Sequence, residues 1–205
     1  MKKWIIGLIV IGVIGFITFL FISWGIRVNN TMVEMKGQAE VKWSNVESAY
    51  QRRNDLIGNL VKTVQGAADF EKSTLTEVIN ARAKATSTTI DASGLTAANM
   101  AQFQQAQAGL SGALSKLLVS VERYPDLKSN QNFLALQNQL EGTENRIKME
   151  RDRFNEVTGN YNIYIKKFPN SYIAERNDFE KIALYKSNKG SENAVDVNFD
   201  FNKKE

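Results

Sequence analysis

An unbroken apolar run near the N-terminus is the strongest constraint on what this chain can fold into. From Trp4 to Trp24 the sequence contains no charged residue. As an α-helix this run is about 31 Å long, close to the thickness of the hydrocarbon core of a bilayer. A tryptophan stands at each end, where amphipathic rings favour the membrane–water interface. The run therefore predicts a transmembrane helix at residues 4–24, preceded by a short flank at 1–3.

A cleaved signal peptide is the competing interpretation of this run. The apolar part of such a peptide is normally about 7 to 15 residues long and ends in a small-residue cleavage site. Here the run is longer, and Ser23-Trp24-Gly25 matches such a site poorly. We therefore expect a retained anchor in the lipid bilayer. Two lysines precede it and only Arg27 follows closely, which favours a soluble domain on the outer side, although Lys36 and Lys42 weaken that bias.

Composition excludes several classes of function. The chain has no cysteine and no histidine, so it lacks thiolate nucleophiles, disulfides, the commonest metal ligand and the usual general base near neutral pH. We expect no catalytic residue, no cofactor and no metal. The net charge of +4 is spread thinly, and the doublets Arg52-Arg53 and Lys166-Lys167 are more typical of solvated or paired faces. The sequence therefore predicts no nucleic-acid partner.

Beyond the anchor, apolar residues recur at helical spacing and predict an all-α bundle over residues 25–185. One long helix is expected from about Val28 to Phe70, continuous with the anchor. A last helix is expected between Pro125, as its first residue, and Pro169, where it stops. The buried series of the first helix are Trp43, Tyr50, Ile57 and Val64, with Ala39, Val46, Leu60 and Ala67. The series of the last helix is Phe133, Leu140, Ile147, Phe154, Tyr161 and Phe168, accompanied by Leu136, Val157 and Tyr164.

Two shorter helices are expected between these, from Ser73 to Lys84 and from Leu95 to Arg123, joined by a Thr/Ser-rich loop. Short connections make neighbouring helices antiparallel, so the predicted architecture is an elongated, coiled-coil-like up-and-down bundle of three to four helices. The segment after Pro169 is expected to dock on the bundle through Ile173, Phe179, Ile182 and Leu184. The polar tail at 186–205 is expected to be flexible, and its alternating run leaves an edge strand as the alternative: Val195, Val197, Phe199 and Phe201.

One charged residue falls on a predicted core position. Arg53 lies between Val46 and Leu60 in their seven-residue series. A buried arginine without a counter-ion costs several kcal/mol, so we expect an ion pair with a carboxylate of the last helix, with Glu144 and Glu150 as the candidates. Such a pair serves either to fix the helix register or to line a polar ligand pocket.

Three stretches of this sequence resemble the signatures of the LemA family. The first runs from Arg52 to Val64 and the second from Glu122 to Leu136. The third begins at Thr143-Glu144-Asn145-Arg146-Ile147 and continues through a set of spaced residues: Arg151, Phe154-Asn155, Val157, Tyr161-Asn162 and Phe168-Pro169. The resemblance extends from about residue 29 to 179. Two departures are Gly58, where the family usually has proline and a helix kink, and Asn29-Asn30 in place of a Tyr-Asn pair.

The resemblance implies a single-pass protein of the bacterial cytoplasmic membrane with a long antiparallel bundle and no catalytic residues to transfer. Some members of the family are encoded beside membrane metalloproteases or TPM-domain proteins, which makes an envelope protein of this kind the expected partner. The leading hypothesis is a non-enzymatic scaffold or adaptor. A small-ligand or lipid-sensing module is the alternative, with a pocket near Tyr50, Arg53 and Glu144. An enzyme using carboxylates alone is the third.

Overall fold

The computed structural model describes residues 2–66 and 70–186, and their arrangement confirms the all-α fold class. Neither of these ranges contains a strand. Four helices form the body of the bundle, and two short ones, α4 and α6, follow the turns at its ends. The helices are α1 (Lys2–Gln65), α2 (Lys72–Ser87), α3 (Ala97–Val121), α4 (Pro125–Lys128), α5 (Gln131–Lys166) and α6 (Asn170–Arg176), with a single 3-10 turn at Ala92–Gly94.

The first helix is continuous from the apolar run into the bundle, as the sequence predicts. α1 has 64 residues and ends at Gln65 rather than at Phe70, which instead packs in the core just before α2. Its N-terminal part is long and apolar enough to cross a membrane. The side chains of that part are exposed in the isolated chain, unlike those of a soluble core helix.

Two hydrophobic clusters form the core, one above the other along α1. The proximal cluster, nearer the apolar run, surrounds Trp43 and contains Val28, Met32, Phe103, Phe154, Tyr161 and Ile165. The distal cluster surrounds Leu60 and contains Ile57, Val64, Val78, Leu110, Leu117, Phe133 and Leu140. α5 packs along α1, and α2 packs against both α1 and α3. The predicted series of α1 is buried from Ala39 to Val64, and Ala67 lies outside the described residues.

The prediction of one last helix starting at Pro125 is wrong. Pro125 is the first residue of the four-residue α4, and the long helix begins after a break at Asn130. The side chain of Asn130 makes this break, because its Oδ1 accepts from the backbone N–H groups of Asn132 at 2.9 Å and Phe133 at 3.2 Å. A cap of this kind satisfies the first donors of a helix and fixes its start.

The predicted core series of the last helix also ends one residue early. Phe133 to Tyr161 are buried, but Phe168 is 89% exposed. The reason is that α5 ends at Lys166, so the seven-residue spacing no longer places Phe168 on the buried face. The short α6 then turns back towards α1, where the side chain of Ile173 lies 3.8 Å from the Cβ position of Gly25.

After α6 the chain runs in extended conformation along the bundle. Asp178 has a φ of 54°, and the N–H of Phe179 donates to Ala174 O at 2.9 Å, which is the pattern that ends many helices. We call residues 179–186 the strap. Ile182 is buried and Phe179 is partly buried, as predicted, whereas Leu184 is exposed and does not dock. The alternating run at 195–201 lies outside the described residues.

Candidate functional site

A layer of polar side chains separates the two hydrophobic clusters. At its centre Arg53 is 3% exposed. Its Nη1 donates to Glu144 Oε1 at 2.8 Å and to Ser111 Oγ at 3.3 Å, and its Nη2 donates to Gln107 Oε1. The guanidinium carbon lies 4.8 Å from the ring centre of Tyr50. Arg53 therefore joins α1 to α3 and to α5 in a single layer.

Of the two candidate carboxylates, the structure joins Arg53 to Glu144. Glu144 is 48% exposed, so the pair is buried only on the arginine side. Glu150 is itself buried, and its Oε1 accepts from Arg153 of the next helical turn at 3.2 Å. Periodicity alone did not identify the partner, because Glu150 lies seven residues after Thr143 on the buried face of α5, whereas Glu144 lies on a more exposed side of that helix.

A polar cleft opens beside this layer, between α1, α3 and the end of α2. It measures about 460 Å³, and the side chains that face it from α1 include Glu47, Tyr50, Asn54 and Asp55. Neither Arg53 nor Glu144 lines it, whereas Tyr50 and Gln107 do, so the cleft lies beside the pocket expected around Tyr50, Arg53 and Glu144. Asn54, one of the residues that line the cleft, is only 7% exposed. Its Oδ1 atom is buried and has no hydrogen-bond partner.

Burial changes the acidity of two side chains at the cleft. Desolvation raises the pKa of Glu47, the charge of Asp91 raises it further, and a hydrogen bond with Trp43 opposes both. Desolvation also raises the pKa of Tyr50 well above its usual range, and the neighbouring Tyr185 adds to this effect. Tyr50 therefore stays protonated and shares a hydrogen bond of 2.9 Å with the Tyr185 hydroxyl.

Arg82 closes one end of the cleft against Gly58. Its Nε donates to Asn54 O at 2.8 Å, and its guanidinium lies 3.1–3.3 Å from where a Cβ of residue 58 would stand. Asn54 O is also the carbonyl that faces the N–H of residue 58 in an α-helix.

Two asparagines of α5 hold the backbone of the strap. Asn162 donates through Nδ2 to Ile182 O at 2.8 Å and accepts through Oδ1 from Ile182 N at 3.0 Å. Asn155, two turns earlier, makes the same pair of bonds with Tyr185 at 2.9 and 2.8 Å. Each side-chain amide thus makes the two hydrogen bonds that the backbone of a neighbouring strand would make with the same residue. We call this pair of contacts the asparagine clamp.

Aromatic contacts fix both ends of the strap. The Tyr161 hydroxyl donates to Glu180 O at 3.0 Å, and the Arg151 guanidinium lies 3.6 Å from the ring centre of Tyr185. The N–H of Ala183 donates to Leu95 O at 2.9 Å, which ties the strap to the loop before α3. Arg151, Asn155, Tyr161 and Asn162 all belong to the third signature stretch. The sequence marks these four residues as part of a family signature, but only the structure shows that they contact the strap.

These features define the class of the protein. It is a long-helix bundle whose first helix continues from an exposed apolar segment, with a polar layer in its core and a clamped C-terminal strap. The model of the LemA family matches residues 42–199, which include the layer, the clamp and the strap. The chain therefore belongs to the LemA family, as the three signature stretches predict.

Named relatives agree with this assignment. The chain is similar to the magnetosome protein MamQ of Magnetospirillum gryphiswaldense, with 28% identity covering 86% of this chain and 69% of the relative. It is 27% identical, over the same shares, to magnetosome protein MamQ 2 of Paramagnetospirillum magneticum. Protein LemA of Metamycoplasma hominis is 21% identical, covering 75% of this chain and 67% of the relative.

Proposed function

We propose that this LemA-family protein is a membrane-tethered, non-enzymatic scaffold or adaptor of the bacterial cell envelope. The continuity of α1 carries this proposal, because one helix both exposes the apolar run and forms the core of the bundle. Residues 4–24 lie in the cytoplasmic membrane, and the bundle stands on its outer side. Trp4 and Trp24 occupy the two interfaces, and Trp24 packs against Phe21 with a ring-centre distance of 5.5 Å.

The proposal of a binding role rather than a catalytic one rests on the side chains present. The sequence has no histidine or cysteine, which carry out most acid–base and nucleophilic steps. In the described part of the chain, no three carboxylates gather as a metal site would require. Two of the buried polar residues, Arg53 and Gln107, are hydrogen-bonded to each other and join α1 to α3.

The distal end of the bundle offers a surface for a protein partner. There a groove of about 330 Å³ lies between α3 and α5, and Val119, Leu134 and Gln137 face it. Val119 is 72% exposed, so a partner that covers it removes apolar surface from water. The proposed partner is an envelope protein, and the membrane metalloproteases and TPM-domain proteins encoded beside some family members are the first to test.

Site-specific crosslinking in intact cells tests the scaffold role. A photoreactive amino acid at Val119 should capture a defined envelope protein, whereas the same residue at Lys148, exposed on α5 in the proximal half, should capture it much less. Recovery of only lipid and bulk protein from both positions would contradict the proposal. Protease accessibility of the C-terminal tail tests the orientation. If the bundle is on the outer side, a protease added to cells with an intact cytoplasmic membrane should cut the tail; if it is on the inner side, only lysed cells should show cleavage.

The polar cleft supports a second function, the binding of a small ligand. The carboxylates of Glu47 and Asp55 line the cleft and are acceptors, and the buried Oδ1 of the neighbouring Asn54 has no partner, so the site suits a ligand that donates hydrogen bonds, such as a primary ammonium compound. Calorimetry with putrescine should show binding that Asn54→Leu abolishes and the exposed-site control Asn138→Leu leaves unchanged. Equal heats for wild type and Asn54→Leu would reject this function.

A further inference from the structure

A surface at the base of the bundle combines exposed aromatic rings with unpaired basic groups. We define the basal corner as the end of α5, the turn through Phe168, and α6, that is residues 163–176. Phe168 is 89% exposed and Tyr172 is 64% exposed. Two large aromatic side chains this exposed at one turn carry an energetic cost in water. Something other than water is therefore expected to cover them.

The position of this corner relative to the apolar run is fixed by contact. Ile173 of α6 packs on Gly25 at 3.8 Å, and both Trp24 and Ile173 pack on the proximal cluster. Gly25 is one residue, or about 1.5 Å of helix, beyond Trp24. The interfacial layer outside the hydrocarbon core is several ångströms thick, so a side chain level with Gly25 lies within the headgroup region if the run is inserted.

The charges of the basal corner fit an anionic surface. Lys166, Lys167 and Arg176 belong to it, and Arg27 and Lys181 lie beside it. None of these five takes part in a salt bridge among residues 2–66 and 70–186. The neighbouring Lys166 lowers the pKa of Lys181, so two like charges lie close together here. Three acidic side chains, Glu175, Asp178 and Glu180, reduce but do not cancel the positive excess.

We propose that the basal corner is a second membrane contact, in which Phe168 and Tyr172 enter the interface of an anionic bilayer and the surrounding lysines bind its headgroups. This inference rests on the proposed anchoring of α1. It adds a consequence, which is that the bundle is held at two points and has a fixed tilt and rotation on the membrane. An anchor alone leaves the helix free to turn about its axis, whereas an anchor and an off-axis contact do not.

The absence of cysteine makes a direct test simple, because one introduced thiol is the only one to label. The full chain carrying Phe168→Cys or Tyr172→Cys is labelled with an environment-sensitive dye and reconstituted in nanodiscs of phosphatidylglycerol and phosphatidylcholine. Ile17→Cys reports the anchor, and Gln137→Cys, exposed near the distal end, is the control. Lipids with a headgroup-level nitroxide should quench the dye at 168 and 172 and leave the dye at 137 bright.

The arms of the experiment separate the two proposals. Quenching of the Ile17 dye by nitroxide placed deep in the acyl chains, with dyes at 168 and 172 as bright as at 137, would overturn the membrane contact and leave the anchor intact. An unquenched dye at 17 would overturn both. The lysine contribution is measured by adding Lys166→Glu and Lys167→Glu, which should shift the docked population roughly fivefold per lysine in anionic discs and leave it unchanged in pure phosphatidylcholine.

Discussion

Asn155 holds Tyr185 through both of its amide atoms, with Nδ2 donating to the carbonyl oxygen at 2.9 Å and Oδ1 accepting from the N–H at 2.8 Å. Thirty residues separate the two in sequence. The same arrangement at Asn162 and Ile182 makes the strap an extended peptide bound to its own helix. The primary amide of asparagine carries a carbonyl acceptor and an N–H donor on one planar group, so it can bond the N–H and the C=O of one peptide residue at the same time.

Loss of one clamp asparagine should loosen the strap locally. Asn155→Ala leaves two backbone groups of Tyr185 without partners, and we expect it to cost about 1–3 kcal/mol. Amide hydrogen exchange should accelerate at Tyr185 and at Ile182 and stay unchanged at Leu60 in the distal cluster. Asn138→Ala, an exposed asparagine of the same helix, is the control. Equal exchange at Tyr185 in both variants would show that the clamp does not hold the strap.

The Arg53–Glu144 pair should respond asymmetrically to mutation. Glu144→Ala leaves a buried guanidinium without its counter-ion, and because Glu144 is 48% exposed we expect a cost of about 2–3 kcal/mol, below that of a fully buried pair. Arg53→Met leaves Glu144 free to hydrate and mainly orphans the Gln107 oxygen, so we expect about 1–3 kcal/mol. The double variant should be no less stable than Glu144→Ala alone. Urea unfolding of the three variants measures this.

An exposed ion pair supplies the control for that series. Lys116 and Glu77 join α3 to α2, with both side chains about half exposed or more. Glu77→Ala should cost less than about 1 kcal/mol. If Glu144→Ala lowers the free energy of unfolding as little as Glu77→Ala does, burial of Arg53 does not make the loss of its counter-ion costly.

Gly58→Ala should stabilise the folded protein only slightly, whereas the same change at a glycine in open surroundings should stabilise it more. Gly→Ala in a helix interior is worth about 0.5–1 kcal/mol. At Gly159 nothing lies within 4 Å of the added Cβ, so Gly159→Ala should show the full gain in thermal unfolding. At Gly58 the guanidinium of Arg82 has to move and strain its bond to Asn54 O. An Arg82→Ala background should restore the gain at Gly58, and a failure to do so would place the restraint elsewhere.

Glu47 should make the protein slightly more stable in mild acid. Its folded pKa is raised above the ordinary value of 4.5, so the folded state binds the proton more tightly than the unfolded chain. The stability associated with this proton is present below pH 4.5 and is lost as the pH rises through the folded pKa. Glu47→Gln should therefore raise stability at pH 7 by no more than about 0.5 kcal/mol and flatten the pH profile. Glu141→Gln, at an exposed position, should change neither the stability at pH 7 nor the pH profile.

The periodic parts of the sequence predicted the fold well because burial there follows helix geometry. Trp43, Tyr50, Ile57 and Val64 are all buried, and Arg53 could be assigned to the core from its place in a neighbouring series. Prediction failed where one side chain redirects the backbone. The cap at Asn130 splits the last helix, and nothing in the spacing of Phe133 and Leu140 reveals it.

The contacts of the strap were beyond sequence reasoning for a different reason. Asn155 and Asn162 face outward from the apolar series of α5, where polar residues are expected anyway. Their partners are backbone groups, which leave no mark in the composition of residues 179–186. The docking of Ile182 was predictable from its apolarity, whereas the exposure of Leu184 follows from the register that the clamp imposes.

The unbroken course of α1 sets a height above the membrane. From Trp24 to Gln65 the helix is continuous and rises about 62 Å at 1.5 Å per residue. With the apolar run inserted as proposed, the groove at Val119 stands near the top of this column, and Tyr185 of the clamp, which is hydrogen-bonded to Tyr50, stands about 39 Å above Trp24. A partner with a short extracytoplasmic domain then meets only the basal corner, where Ile173 packs on Gly25, whereas only a tall one reaches the groove. The height of a partner's extracytoplasmic domain therefore decides which surface of the bundle it can contact, whatever its side chains are.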